Sequence, residues 1–375
     1  MAYTNTISSG TTYSFSYDAL GRLTQALQPW VGGSLEYQYQ ANGWLSSTTT
    51  PRGVTTYGYN ARGEWSSLLN QWEDPNNFDA LTTGSLYASA ISGGSATEPI
   101  PYGVMGNRLY EACYVPIVHN AVGWIHDGSR TRTFSYDNLN ELTGDVSIYD
   151  GSASQDYLDV GYNHSYSYDD MGNPNTFDSL GGNEFSSDNQ IVGTTSDPFT
   201  YDGNGNPTEY SSSVPAKSML TFDAENRLLS ASSKSFAADY DPDDLRTMKQ
   251  TSQGARFFVY DGDTRMLELD SSGDVKAAYG WGADGLRSQY VAGDEYYLYE
   301  YDPEGNLTQT QKQLNTSYYS WNTSIYDAYG GLRNSLADSS GVSNQRCRAS
   351  ASLGSLAATR ISTCPIARTR QVSCT

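Results

Sequence analysis

The chain reads as an all-β protein, built of repeated β-hairpins that stack on one another. Three observations predict strands throughout: a phrase that returns along the chain, a composition rich in tyrosine and glycine, and no long helical periodicity. The phrase is clearest at Phe15-Ser16-Tyr17-Asp18-Ala19-Leu20-Gly21-Arg22-Leu23-Thr24. It returns around Tyr136-Asp137, as Tyr168-Asp169-Asp170-Met171-Gly172-Asn173, as Tyr201-Asp202-Gly203-Asn204-Gly205-Asn206 and as Tyr301-Asp302-Pro303-Glu304-Gly305-Asn306-Leu307-Thr308. Self-similarity of this kind sets the architecture before any single residue does.

One unit explains itself physically. Positions two apart, such as Phe15 and Tyr17, share a face of a strand and present an aromatic stripe. An Asp side chain hydrogen-bonds the backbone ahead of it and opens a turn; Gly supplies the positive φ that closes it. The phrase therefore predicts a strand, a tight hairpin and a return strand beginning near Leu23. A single hairpin cannot bury its own aromatic face, so neighbours must stack.

In order along the chain, Tyr17, Tyr39 and Tyr59 mark three units at spacings of 22 and 20 residues. Residues 69–130 are less regular, with loop signals at Pro75-Asn76-Asn77 and Ser92-Gly93-Gly94-Ser95 and a weak copy at Tyr102-Gly103-Val104-Met105-Gly106-Asn107. They read as an interrupted part of the same sheet. From Tyr136 the rhythm resumes through Tyr168, Tyr201, Phe222, Tyr240, Tyr260, Tyr301 and Tyr326-Asp327-Ala328-Tyr329-Gly330. Asn140 and Asn226 replace Gly, and Asn is the residue that best tolerates the left-handed region after Gly. Asp244 and Thr264 stand at the same position, which predicts that those two turns are built differently. The repeat region thus runs over 1–335. Residues 336–375 form a non-repeat tail; from 346 on it holds five Arg and three Cys, with no Tyr and no acidic residue, and is expected to be foreign to the fold and disordered.

Composition bounds the function. A formal net charge of −20 disfavours nucleic acid as a partner, and no apolar run reaches the roughly 18–20 residues of a membrane span. The N-terminus has no signal-peptide pattern. Spacings of 17 and 10 among Cys347, Cys364 and Cys374 fit neither a disulfide framework nor a zinc site, and Cys113 stands apart. Asp241 with Asp243 and Asp244, or Asp169 with Asp170, could do acid–base work on a sugar, but turn geometry accounts for them. Asp202-Gly203-Asn204-Gly205-Asn206 opens like a calcium loop, yet Pro207 and Ser213 stand where that loop needs Gly and Glu. His119, His126 and His164 sit in no nucleophile motif. No catalytic residue, metal or cofactor is expected; the chain reads as non-enzymatic.

The in-register Tyr-Asp-x-x-Gly phrases resemble the YD repeat of the Rhs family, shared with teneurins and the C component of insecticidal toxin complexes. The resemblance covers about residues 11–335. It implies an all-β fold, a YD-repeat β-hairpin ribbon spiralling into a partial hollow shell, which in bacterial members encloses a C-terminal toxin, in a secreted or cell-surface protein. The expected partners are the remainder of the shell and a polypeptide cargo. Members normally continue, after a phrase like that at Tyr326, into a segment bearing an aspartate-dependent self-cleavage; the tail from Gln345 has no Asp. The alternative reading is an adhesin or carbohydrate-binding module that meets cell-surface glycans through exposed Tyr and Trp, such as Trp44 and Trp281.

Overall fold

The computed structural model describes residues 2–7, 11–28, 33–74, 77–88, 90–92, 95–98, 101–114, 117–119, 124–126, 129–149, 161–177, 180–181, 185–194, 197–210, 218–293, 295–315, 318–328 and 332–337. Leu336 and Ala337, placed in the tail by the sequence, instead end the strand Leu332–Ala337, while the rest of the predicted tail and the turn glycine Gly330 lie outside the described residues. The fold is all-β. Strands joined by short turns account for nearly all of the described chain, and the one helical piece among these residues is the 3-10 turn Ser232–Lys234. Two compact units divide it. Among the described residues, one combines those up to His164 with those from Gly280 onward, and the other holds those of Ser165–Tyr279.

In the first unit the strands pair antiparallel in chain order, as successive hairpins must. Ala2–Ile7, Thr11–Tyr17, Leu23–Gln28, Gly33–Tyr39, Leu45–Thr50, Gly53–Tyr59, Trp65–Asp74 and Asn77–Ala88 follow one another across the sheet. The irregular stretch then interrupts the sequence order without leaving the sheet. Tyr110–Tyr114 pairs with Asn77–Ala88 on one side and with Ser129–Tyr136 on the other. The intervening residues hold two small ladders, Ala90–Ser92 with Ser95–Glu98 and Ile117–His119 with Trp124–His126. The same unit closes with Gly285–Val291, Glu295–Tyr301, Leu307–Asn315, Tyr318–Tyr326 and Leu332–Ala337, again antiparallel in chain order.

The second unit repeats the scheme from Ser218–Phe222 through Leu228–Ala231, Phe236–Tyr240, Arg246–Thr251, Gly254–Asp261 and Thr264–Leu269. Its apolar cluster is Ala231, Phe236 and Ala238, with Leu220, Leu228 and Tyr240 packed against it. The first unit has equivalents in Ala26, Leu35 and Tyr37, and in Tyr57, Leu68, Tyr87 and Cys113. Each cluster draws its members from adjacent strands, which is how stacked hairpins supply one another with a buried face.

Candidate functional site

The site residues that the sequence singles out belong to the repeat turn. Tyr17, Tyr136, Tyr168, Tyr201, Tyr301 and Tyr326 each sit opposite the residue six positions later, as in the pairs Tyr17 with Leu23 and Tyr326 with Leu332. The residue after the tyrosine then closes a turn with two backbone hydrogen bonds. Asp18 N–H donates to Arg22 O at 2.9 Å, and Gly21 N–H donates to Asp18 O at 3.1 Å. Twelve such turns occur among the described residues, and in all of them the fourth residue has positive φ.

In eight of these turns the first residue is Asp, and its carboxylate is spent on its own loop. Asp18, Asp137, Asp169, Asp202, Asp223, Asp241, Asp270 and Asp302 each accept the backbone N–H groups two and four residues ahead at 2.8–3.0 Å. Asn60 does the same with its amide oxygen and Ser186 with its hydroxyl. The copies at Ser186 and Asp270 are not apparent from the phrase, because Ser186 stands where it has Asp and Leu269 where it has an aromatic residue. The pattern S/D-x-x-N/G was the usable signal. At Asp244 the sequence expectation is corrected. This aspartate takes φ 65 and closes the same turn as glycine does, since Asp, like Asn, tolerates the left-handed region. At Thr264 the construction does differ: Gly262, at φ 61, and Asp263 alone link Asp261 to Thr264.

The suspected acid–base groups are therefore turn groups. Asp243 and Asp170 are exposed at loop tips, and Asp244 is 2.8 Å from Arg227. Asp202 keeps Asn206 Nδ2 at 3.0 Å on its second oxygen. No trio of His, Cys, Asp or Glu among the described residues is arranged to hold a metal. Cys113 is buried, and burial pushes its thiol up to about 12, far from a nucleophile's range. His164 is buried with its ring edge-on to Tyr162 at 4.8 Å. Trp44 is half-buried, its ring 5.1 Å from that of Tyr59.

What the phrase does not reveal is two buried ionic clusters in the first unit, each tying the early strands to the late ones. In the first, Asp284 accepts hydrogen bonds from Thr48 at 2.6 Å, from Tyr57 and from Arg287. Burial alone would push the Asp284 carboxyl up; the Arg287 guanidinium and these donors hold it below the usual range. In the second, Glu111 is completely buried and faces both Arg108 and Arg132, with Arg132 Nη1 at 3.0 Å. Arg108 also pairs with Glu304, and Arg132 lies 3.3 Å from Asp145. Asp145 in turn accepts Tyr162 OH at 3.1 Å and the backbone N–H of Ala328 at 2.7 Å. Two guanidinium groups thus meet three carboxylates, with the buried Asp302 beside Glu304. Burial drives Asp302 well above the carboxylate range, the Glu304 charge adds to it, and Glu111 is also raised by burial. These clusters can fix strands separated by well over a hundred positions of sequence, and each carboxylate in them is already committed to a partner.

No family model matches the chain. Among curated proteins it is similar to the tRNA3(Ser)-specific nuclease WapA of Bacillus spizizenii, 27% identical over 179 residues, which is 44% of this chain and 7% of that protein. The tRNA nuclease WapA of Bacillus subtilis matches over the same length at 26% identity. Among solved structures, a TcdB2–TccC3–Cdc42 complex aligns with 89% of this chain and 23% of that chain, at 13% identity and a TM-score of 0.31. TcdB2–TccC3 without its hypervariable C-terminal region aligns with 89% and 19%, at 14% identity and a TM-score of 0.22. The match spans about 7% of the length of the curated relatives.

Proposed function

We propose that the chain is a scaffold segment of an Rhs-type, toxin-associated protein: a YD-repeat ribbon that encloses or presents a polypeptide cargo and performs no chemistry itself. The observation that carries this reading is where the acids go. The turn aspartates are spent on their own backbones, and Asp284, Glu111, Asp145 and Glu304 on buried guanidinium groups. The likeness to the WapA nucleases supports the toxin-associated setting; the nuclease activity in their names is theirs. On this reading the partners are further shell and a cargo, and the protein acts outside the cell or at its surface.

The test is protection. The chain is expressed together with the coding sequence that adjoins it, and the product is treated with trypsin. Cargo that survives while the same polypeptide expressed alone is degraded supports the scaffold. Equal degradation rates would overturn it, and catalytic turnover abolished by Asp241→Ala would overturn its non-enzymatic part.

A further inference from the structure

A narrow cleft in the first unit is walled by residues of both early and late strands. One wall is the turn between Leu45–Thr50 and Gly53–Tyr59, where Thr50 Oγ1 accepts the Arg52 backbone N–H at 3.3 Å. The other comes from Gly285–Val291, Glu295–Tyr301 and Leu307–Asn315, which bring Arg287, Leu298, Glu300 and Gln311 to the lining. Register explains part of this meeting. Leu298 lies directly opposite Gln311, and Glu300 stands two residues beyond Leu298, so these three share a face. The space open to the centre of a water-sized group is about 10 Å³, which is room for one such group.

Three polar atoms of the lining residues are buried and accept or donate no hydrogen bond within the protein: Glu300 Oε2, Gln311 Nε2 and Arg287 Nε. Gln311 is 4% exposed and Arg287 3%. A buried donor or acceptor left unmatched costs stability, so these atoms call for a polar occupant. The other Arg287 nitrogens are committed. Nη1 donates to Tyr299 O at 3.4 Å, and Nη2 donates to Asp284 and to Tyr57. The Arg287 charge is thus already answered by Asp284. The Glu300 carboxyl is pushed up to about 8 by burial, with Arg287 acting the other way, and is mostly neutral at neutral pH.

We propose that this cleft binds one integral water molecule, which accepts hydrogen bonds from Gln311 Nε2 and Arg287 Nε and donates one to Glu300 Oε2. Water is a ligand of the right size that can accept twice and also donate, and buried waters typically make about three hydrogen bonds. A cation could not accept from the two donors and would lie among the Arg287 and Arg52 side chains of the lining. An anion of this size could not donate to Glu300. The water extends the Asp284–Arg287 cluster to Glu300 and Gln311, so that two more of the late strands are tied to it through a shared partner. The inference is independent of the scaffold reading.

The experiment is a crystal structure of the full chain at a resolution that shows ordered water, from crystals grown with rubidium chloride so that a bound monovalent cation reveals itself by anomalous scattering. Oxygen-17 magnetic relaxation dispersion of the water signal counts long-lived internal waters in solution. One peak without anomalous signal is expected within hydrogen-bond distance of Glu300, Gln311 and Arg287. The Glu300→Leu/Gln311→Leu variant is expected to lose one long-lived water. Should that variant misfold by circular dichroism, Gln311→Met serves, since it removes one donor and keeps the length of the side chain, and the same loss is expected. Gln311 paired directly with Glu300 and no peak between them, an anomalous peak, or an unchanged count of long-lived waters in a folded variant overturns the proposal. Cargo protection can fail while the water is present, so the two readings fall separately.

Discussion

Asp202 and Asp302 occupy the same place in the repeat and accept the same three hydrogen bonds, yet their carboxyl groups shift in opposite directions. Each takes the backbone N–H groups two and four residues ahead and the Nδ2 of the asparagine that follows the turn glycine. Asp202, at an exposed tip, is held below the carboxylate range, first by Asn206 and its backbone. Asp302 is buried beside Glu304 and lies well above it. Identical local chemistry is overruled by the surroundings.

That contrast predicts opposite pH behaviour. A carboxyl raised in the folded state binds more protons there than in the unfolded chain. Its stabilising contribution is therefore present below an unfolded pKa of about 4 and is lost as pH rises toward the folded value. Asp202 behaves the other way: its contribution is present above about 4 and lost below. Asp302→Asn is expected to raise stability at pH 8 by on the order of 1 kcal/mol and to lessen the loss of stability between pH 5 and pH 8 without abolishing it, since burial also raises Glu111 and pushes Glu300 up to about 8. Asp202→Asn leaves that range unchanged. Thermal melts of the two variants at pH 5 and pH 8 check both statements.

Asp284 and Arg287 predict non-additivity. Asp284→Ala leaves a guanidinium buried without its counter-charge and is expected to cost about 3–5 kcal/mol. Replacing both, as Asp284→Leu with Arg287→Met, is expected to cost less than the sum of the single changes. Urea unfolding of the four proteins in the cycle gives the coupling; additive losses would show that Asp284 and Arg287 do not act as a pair.

The left-handed turn position predicts a pair of opposite effects. Nothing lies within 4 Å of a Cβ built on Gly21, so Gly21→Ala is penalised by φ 78 alone, about 1–2 kcal/mol. Asp244→Gly relieves φ 65 and is expected to stabilise by a few tenths of a kcal/mol, less whatever its exposed contact with Arg227 contributes. Urea midpoints of the two variants should move in opposite directions.

Tyrosine rather than phenylalanine in the phrase has a counterpart in hydrogen bonding. Tyr39 OH donates to Leu23 O at 2.7 Å, Tyr201 OH to Ile191 O at 2.9 Å, Tyr240 OH to Leu228 O at 3.1 Å and Tyr260 OH to Arg246 O at 2.9 Å. Each acceptor lies two residues past the preceding turn's left-handed position, so the hydroxyl clasps one unit to the last. Tyr240→Phe is expected to cost about 0.5–1.5 kcal/mol, and Tyr240→Ala several times more because ring packing goes with it. Calorimetry of both separates hydroxyl from ring.

The residue after the glycine was visible in the phrase as Arg or Asn, but its task was not. It reaches the next turn: Asn173 Nδ2 meets Asn189 Oδ1 at 2.5 Å, Asn206 meets Asn226 at 2.7 Å, and Arg227 meets Asp244. In the same position Arg22 lies over the Tyr39 ring at 4.6 Å. A spacing near 20 residues announces that neighbours stack, but not which atoms meet across the stack.

What the sequence determined by itself is whatever depends on short-range geometry. Asp, a left-handed Gly or Asn, and alternating aromatics dictate the hairpin within ten residues, so the all-β ribbon and the roles of Tyr17, Asp18 and Gly21 could be read directly. Only the tertiary structure decided which of the near-identical acids are buried, that Asp284 meets Thr48 and Tyr57 from distant strands, and that Glu300 and Gln311 line one cleft with the turn at Arg52. The reason is physical. Turn chemistry is local, whereas desolvation and charge pairing depend on groups brought together from far along the chain, and a repeat that looks the same at every copy carries no local mark of what will be packed against it.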